Sequence, residues 1–352
     1  MQRGIAYALV AAAMFGASTP LAKILLDEVH PLALAGLLYL GSGVGLGVVQ
    51  LLRVSVLRNA TPVAWPSRQG CVWLSAAIFF GGICGPVLLM FGLQTVAAST
   101  ASLLLNLESA LTALIAWIVF REHFDRRIAW GMFAIVAGGI VLSIGGDGIG
   151  GMSLGALLVA AACLCWAVDN NLTRKVSTND PILIAGLKGG VAGVVNLSIA
   201  SSAGVMLPGA KIVAMVAIVG FVGYGVSLVL FVLALRSLGT ARTGAYFGIA
   251  PFFGGALGVA LLGDPITVQL VVAAGLMALG LWLHLSEHHE HDHIHDREEH
   301  IHAHWHDEHH QHGHEFEWDG REPHVHVHLH EATVHRHVHF PDADHRHRHN
   351  RS

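Results

Sequence analysis

The chain has 352 residues, of which only 12% are Asp, Glu, Lys or Arg, and its mean hydropathy is +0.57. Soluble domains average about 25% charged residues, so the composition excludes an ordinary water-soluble enzyme or a nucleic-acid-binding module and asks for a lipid bilayer. The charge is unevenly spread: residues 1–286 carry 14 Lys and Arg against 9 Asp and Glu, whereas residues 287–352 carry 6 against 15 and hold 23 of the 26 histidines.

In chain order, apolar runs of roughly 20 residues, long enough to cross a bilayer, recur ten times. They fall at 4–26, 31–52, 71–93, 97–120, 128–145, 152–171, 182–205, 211–235, 241–262 and 266–286. The first follows Arg3 as a secretory signal would, but it is longer than such a segment and meets no small-residue cleavage site, so a retained span is expected. Pairs such as Gly81 with Gly85 and Gly254 with Gly258 have the small-xxx-small spacing that lets membrane helices approach closely. Cys71, Cys84, Cys163 and Cys165 are scattered or point apart along apolar helices and are expected to pack rather than bind metal. There is no P-loop, which argues against ATP-driven chemistry by this chain, and no nucleophile and base constellation; no enzyme is expected and no cofactor is required.

Lys and Arg gather on the cytoplasmic side of membrane proteins. With the N-terminus inside, that side collects Arg3, Arg53, Arg58, Arg68, Arg121, Arg126, Arg127, Arg174, Lys175, Arg236 and Arg242, and the outer side keeps Lys23 and Lys211. Ten spans then return the C-terminus to the cytoplasm, in a multi-pass protein of the cell inner (plasma) membrane.

Residues 94–141 align without a gap on 236–283 at an offset of 142, setting Glu122 on Asp264, Ser109 on Pro251 and Gly138 on Gly280. Earlier in each copy, HPLALAGL from His30 matches DPILIAGL from Asp180. The expected units are therefore a five-helix repeat over 1–145, a second over 146–286 and a tail over 287–352. Five is odd, so the second copy lies upside down relative to the first, the inverted-repeat plan of many secondary transporters. The fold class is an all-α integral membrane protein: ten transmembrane helices as two inverted repeats, followed by a largely disordered His-rich tail.

Two stretches in corresponding places, ASLLLNLESALTALIAWIVFREHFD with GMFAIVAGGIVL and TGAYFGIAPFFGGALGVALLGDPIT with GLMALGLWL, pair a small-residue helix ending in an acidic residue with a closing Gly-containing helix. With the opening MFGASTPLAKILL, they resemble the EamA-type transporters of the drug/metabolite transporter superfamily, over about residues 4–285. Ser109 stands where the family usually has Pro, and Arg121 where it usually has Gly. The resemblance implies a ten-helix exporter or exchanger of small organic solutes.

In inverted-repeat transporters the substrate sits near the midplane, at helices interrupted in corresponding positions. The expected interruptions are Gly16-Ala17-Ser18-Thr19-Pro20 in the first span and Ala167-Val168-Asp169-Asn170-Asn171 in the sixth, with Pro20 kinking its helix. A charge at the bilayer centre costs roughly 2.5–3.5 kcal/mol, which singles out Glu108, two residues after Asn106, and Lys188. Glu108 is expected to carry a coupling proton or meet a cationic group; Lys188 is its partner, an anion contact or a snorkelling side chain. Ser18, Thr19, Asp169, Asn170, Asn196, Tyr224 and Tyr246 complete the expected cavity lining.

Residues 287–322 are polar, acidic and too poor in apolar residues for a core, so they are expected to be disordered without a ligand. In 324–340 histidines alternate, and alternate residues of an extended chain share one face. His324, His326, His328 and His330 line one side, and a turn at Glu331-Ala332-Thr333 would bring His335, His337 and His339 back alongside. Imidazole suits Zn²⁺, Ni²⁺, Co²⁺ or Cu²⁺ better than Mg²⁺ or Ca²⁺. The expected partners are the bilayer, a small-molecule substrate, divalent metal ions and a second copy of the chain in a homodimer. Two functions are in play: a transporter of a small metabolite or drug with a cytosolic metal-binding tail, or a divalent-metal efflux permease loaded by that tail. A membrane-anchored metal store is a third class, for which a costly Glu108 has no use.

Overall fold

The computed structural model describes residues 2–56, 66–120, 126–145, 151–176, 180–238, 240–285, 289–295, 298–304, 324–330 and 333–339. Inside lipid every backbone N–H and C=O needs a partner, so each apolar run becomes a helix. Among the described residues the helices group into ten runs, eight of them long and apolar enough to cross a membrane and the last two built on shorter apolar helices: α1 (Gln2–Leu25), α2 (Pro31–Val56), α3 (Arg68–Thr95), α4 (Ala98–Leu104 and Leu107–Phe120) and α5 (Arg126–Ser143), then α6 (Leu154–Thr173), α7 (Pro181–Ser202), α8 (Ala210–Gly220, Phe221–Val226 and Ser227–Leu238), α9 (Thr240–Phe247 and Ala250–Leu262) and α10 (Val268–Leu285).

The repeats interlock rather than sit side by side. Helix α2 packs on α7 and α5 on α10, each against its own counterpart in the other copy. The remaining contacts are reciprocal: α1 packs on α8 and α9, and α6 on α3 and α4. Glycine makes the α2–α7 seam possible, because a Cβ on Gly43 would overlap the backbone of Gly189 and Gly190, and one on Gly193 would lie 2.5 Å from the Leu40 nitrogen. Across α5 and α10, a Cβ on Gly280 would lie 2.6 Å from the Gly131 carbonyl oxygen. The buried core between these seams is built from Leu34, Leu38, Leu89, Met90, Leu93, Leu104 and Ile135.

The backbone irregularities are duplicated too. Helix α3 widens to a π-helical segment at Ile78–Cys84, and α8 does so at Phe221–Val226. Helix α4 breaks into turn at Leu105 and Asn106, and α9 at Gly248 and Ile249. Both features recur 143 residues later, within one residue of the sequence offset.

The interruptions expected in the first and sixth spans are corrected by this geometry. Helix α1 runs unbroken through Gly16 and Pro20, and α6 through Ala167 and Asn171. Pro20 removes only the bond that would reach the Gly16 carbonyl. That carbonyl lies against α9, where a Cβ on Gly254 would stand 2.6 Å from the Gly16 oxygen. Close packing on a neighbouring helix holds α1 continuous.

The tail, His288–Ser352, is a separate compact unit. Its described backbone forms β1 (His289–His295), β2 (Glu298–His304), β3 (His324–His330) and β4 (Thr333–His339). These make two antiparallel pairs, β1 with β4 and β2 with β3. The expected return of β4 alongside β3 is thus corrected: each pairs instead with a strand of the segment 289–304. Both strands of that segment alternate in the same period of two, which makes them extended partners for β3 and β4.

Candidate functional site

The polar site grows from the π-helical segment of α3. A π turn carries one residue too many for the regular i→i+4 ladder, so nearby carbonyls are free for other donors. The Gly81 carbonyl accepts from Tyr39 Oη of α2 at 2.8 Å and from Trp166 Nε1 of α6 at 2.9 Å. The Gly82 carbonyl accepts from Asn196 Nδ2 of α7 at 2.9 Å. Asn196 is fully buried, and its Oδ1 has no hydrogen-bond partner.

Because Gly81 has no side chain, the Asp169 carboxylate can lie directly on it; a Cβ there would overlap that carboxylate. Asp169, 5% exposed, is paired with Lys188, whose Nζ stands 2.6 Å from Oδ1 and 2.7 Å from Oδ2. Thr173, one turn further along α6, donates from Oγ1 to Asp169 Oδ1 at 2.8 Å and accepts from Lys188 Nζ at 3.3 Å. Lys188 is the eighth residue of α7, about 10 Å from its start at 1.5 Å per residue, and it neither snorkels nor pairs with Glu108.

Glu108 stands in the first turn of the second half of α4, just past the break. A helix N-terminus favours a carboxylate, which eases placing an ionisable group this deep in a span. Its Oε1 accepts from the Asn170 amide at 2.8 Å, and Asn170 also reaches Thr112 Oγ1 at 3.4 Å. The break is held by local bonds: Asn106 Nδ2 donates to the Leu103 carbonyl at 3.1 Å, Ser109 Oγ to the Asn106 carbonyl at 2.8 Å, and Cys163 Sγ to the Leu104 carbonyl at 3.5 Å. Asn106 is buried within the turn itself. The outcome is two adjacent polar centres: an ion pair sunk between α3, α6 and α7, and a carboxylate with a neutral amide donor beside an exposed Asn170.

Glu108, Asn106, Asp169, Asn170, Lys188 and Asn196 therefore fall into one region. Tyr224 borders it through Tyr39, with ring centroids 5.6 Å apart, and carries on to Phe15, Phe247 and Phe231 as an aromatic cluster. Ser18 and Thr19 are buried on α1; Ser18 donates to the Phe15 carbonyl at 2.6 Å and packs against Gly223 of the α8 π segment, beside Tyr224. Tyr246 belongs elsewhere, packed with Ile5, Ala8, Ala234 and Leu238, so its assignment to the cavity is corrected. Tyr39, Trp166 and Thr173 escape sequence reasoning, and Gly81 enters it only as a packing glycine. Their signal was a polar tip in an apolar helix for the first three and a Gly-Gly step for the last.

At the end of the bundle away from Arg53 and Asp180, two charges hold the turn between α3 and α4. Lys23 Nζ donates to the carbonyls of Leu93 and Gln94, at 2.5 and 3.2 Å, at the C-terminus of α3. Asp264 Oδ2 accepts from the Ser99 backbone N–H at 2.7 Å, at the N-terminus of α4. Each sign matches the helix end it meets. At the other end Asp180 caps α7 by accepting from the Ile182 N–H at 2.8 Å and stands 3.7 Å from Arg53 of α2.

Glu122, the repeat partner of Asp264, lies outside the described residues. Among the described residues of the membrane part, no group of three or more His, Cys, Asp or Glu converges as a metal site. His324, His326, His328, His330, His335, His337 and His339 have described backbone positions in β3 and β4; their side chains lie outside the description.

Comparison with known proteins matches the EamA-like transporter family twice, over residues 2–144 and 153–286. A protein of Methanothermobacter thermautotrophicus described as an uncharacterized transporter is 28% identical over 293 residues, 78% of this chain and 84% of that one. The uncharacterized transporter YvbV of Bacillus subtilis is 27% identical over 165 residues, 47% of this chain and 52% of its own. A probable 4-amino-4-deoxy-L-arabinose-phosphoundecaprenol flippase subunit ArnE of Pseudomonas fluorescens is 40% identical over 75 residues, 21% of this chain and 62% of that one. A solved crystal structure, described only as that of a protein, superposes with a TM-score of 0.56 at 18% identity, covering 79% of this chain and 95% of its own; the likeness is one of fold.

Proposed function

Because the chain belongs to the EamA-like transporter family, we propose that it is a secondary active exporter or exchanger of a small metabolite or drug in the cell inner membrane, with both termini and a metal-binding tail in the cytoplasm. One observation carries the reading: Glu108 is kept ionisable in the middle of a broken helix, with the neutral amide of Asn170 as its donor, next to a buried Asp169–Lys188 pair. A merely structural carboxylate in lipid is expected to be paired with a cation. Among the described residues Lys188 is bonded to Asp169 and the donor to Glu108 is the neutral Asn170 amide, which suits Glu108 to exchanging a proton or meeting a positively charged solute group.

The neighbouring groups suit a solute with hydrogen-bonding ends and an apolar body. The unpartnered Asn196 Oδ1 is an acceptor for a donor on the solute, and Tyr39 with Tyr224 offers aromatic surface. Asp169 and Lys188 form a pair that a zwitterionic or anionic solute can open from either side. The reciprocal packing of α1 on α8 and α9 and of α6 on α3 and α4 makes two groups, each drawn from both repeats, and alternating exposure would come from rocking one group against the other around this centre.

The deciding measurement is flux in sealed vesicles across a panel of amino acids and other small metabolites under a pH gradient. Glu108→Gln keeps the shape and removes the ionisable group, so gradient-driven flux is expected to vanish while the protein remains folded and inserted. Full gradient-driven flux through the Gln variant overturns the coupling role. The density of histidines in 287–352 favours a second reading, efflux of Zn²⁺, Ni²⁺, Co²⁺ or Cu²⁺ loaded from the tail. A chain ending at Glu287 separates the two: solute flux is expected to persist and lose its response to metal. Metal flux through the truncated chain, with no organic solute moved, selects the second reading.

A further inference from the structure

Resting on the metal-binding reading of the tail, we infer that the metal sites are cross-strand histidine quartets, one set between β1 and β4 and another between β2 and β3, and that they need histidines of 289–304 as much as those of 324–339. The register is the observation. In the first pair His289 stands opposite His339, His291 opposite His337 and His293 opposite His335. In the second, His300 stands opposite His328, His302 opposite His326 and His304 opposite His324. Residues directly opposite in an antiparallel pair lie on the same face, with Cα atoms about 4.5–5.5 Å apart, and the next pair along that face is roughly 7 Å away at about 3.4 Å per residue.

Two consecutive pairs thus place four histidines at the corners of a small rectangle on one face. Zn²⁺ and Co²⁺ favour four-coordinate shells of such ligands. The other face holds different chemistry: Asp292 opposite Arg336 and Ile294 opposite Val334 in one sheet, Ile301 opposite Val327 and Ala303 opposite Val325 in the other. A one-residue slip in either sheet would send one strand's histidines to the opposite face from its partner's. Isolated two-stranded sheets are marginal in water, and metal binding supplies free energy that can hold them. Binding therefore staples two segments separated by residues 305–323, in place of closing a local hairpin at Glu331.

The test titrates the full chain in detergent with Co²⁺, reading the visible absorption of the bound ion, and with Zn²⁺ by displacement. Two-site variants of β1 (His291→Gln with His293→Gln) and of β4 (His335→Gln with His337→Gln) are each expected to remove about one ion's worth of tetrahedral signal. Combining them should remove no more, because both halves serve one site. The β2 variant (His300→Gln with His302→Gln) and the β3 variant (His326→Gln with His328→Gln) should behave in the same way with each other and additively with the first set. Binding that survives every β1 and β2 variant, and is non-additive only between β3 and β4, overturns the quartets while leaving a metal-binding tail. A full chain that binds neither ion overturns the inference and the reading beneath it.

Discussion

The two repeats share a backbone and differ in chemistry where it matters most. At the α3, α4 and α6 crossing the π segment and the broken helix are furnished with Asp169, Asn170, Glu108 and Trp166, with Lys188 reaching in from α7. At the counterpart crossing of α8, α9 and α1 the same π segment and break carry Tyr224, Phe231, Phe247 and Phe15. Ala250 and Pro251 stand where α4 has Glu108 and Ser109. Duplication kept the backbone irregularities in both copies but gathered the charges at one of the two crossings, Glu108 coming from the first repeat and Asp169 and Lys188 from the second.

The sharpest way to break this asymmetry is to leave its buried charge alone. Lys188→Met strands the Asp169 carboxylate, and removing one partner of a buried pair costs about 3–5 kcal/mol. A large fall in the thermal midpoint in detergent is expected, with Asp169→Asn added to Lys188→Met restoring much of it. An unchanged midpoint in the single variant would show that Lys188 contributes no more than a snorkelling side chain.

Next in size is the transplant. Ala250→Glu puts a carboxylate at the α9 break among aromatic rings, and the insertion cost of a central charge is roughly 2.5–3.5 kcal/mol. Lower yield of inserted protein is expected, together with no gain of gradient-driven flux when combined with Glu108→Gln. Rescue of flux would mean that the two crossings are chemically interchangeable.

A finer comparison uses the glycines that let each π segment be approached. At Gly81 a Cβ meets the Asp169 carboxylate, and at Gly223 it stands 2.8 Å from Ser18 Cβ. Overpacking costs typically about 1–3 kcal/mol. Gly81→Ala should reduce transport out of proportion to its loss of stability, because it displaces half of the ion pair, whereas Gly223→Ala should affect stability alone. Paired melting and flux measurements decide it. The smallest effect is expected from Asp264→Asn, which keeps an acceptor but removes the charge at the start of α4. It should cost about 0.3–1 kcal/mol, read as a small shift of the midpoint.

The ten spans and their twofold repetition were legible in the sequence because long apolar runs and a gapless self-match are local, additive signals. The breaks were not. ASLLLNLESALT reads as one continuous helix, and the turn at Leu105 and Asn106 is held by Asn106 folding back on Leu103 and by Cys163 from another helix. Conversely, Gly16 to Pro20 reads as an interruption, but packing on Gly254 keeps α1 whole. Glu108, Asp169 and Lys188 stood out because charge is costly at depth. Their partners did not, since Lys188 could reach Glu108 or Asp169 and the choice rests on how α6 and α7 face each other and on the cross-repeat meeting of α6 with α4. Tyr246 was chosen for its residue type, and its helix carries it to Ile5 and Ala8 instead. In the tail the alternation in 324–339 was visible, while its partners were hidden in an acidic stretch whose composition argued for disorder.

Lys23 and Asp264 hold the turn between α3 and α4 through peptide carbonyls and a peptide N–H, and not through any side chain of that turn. Every amino acid except proline supplies those groups. Among descendants of this chain, Gln94, Thr95 and Ala97 can therefore drift in identity with no matching change at Lys23 or Asp264. The two anchors would persist as constants without correlated partners, a contact that no record of paired substitutions would reveal.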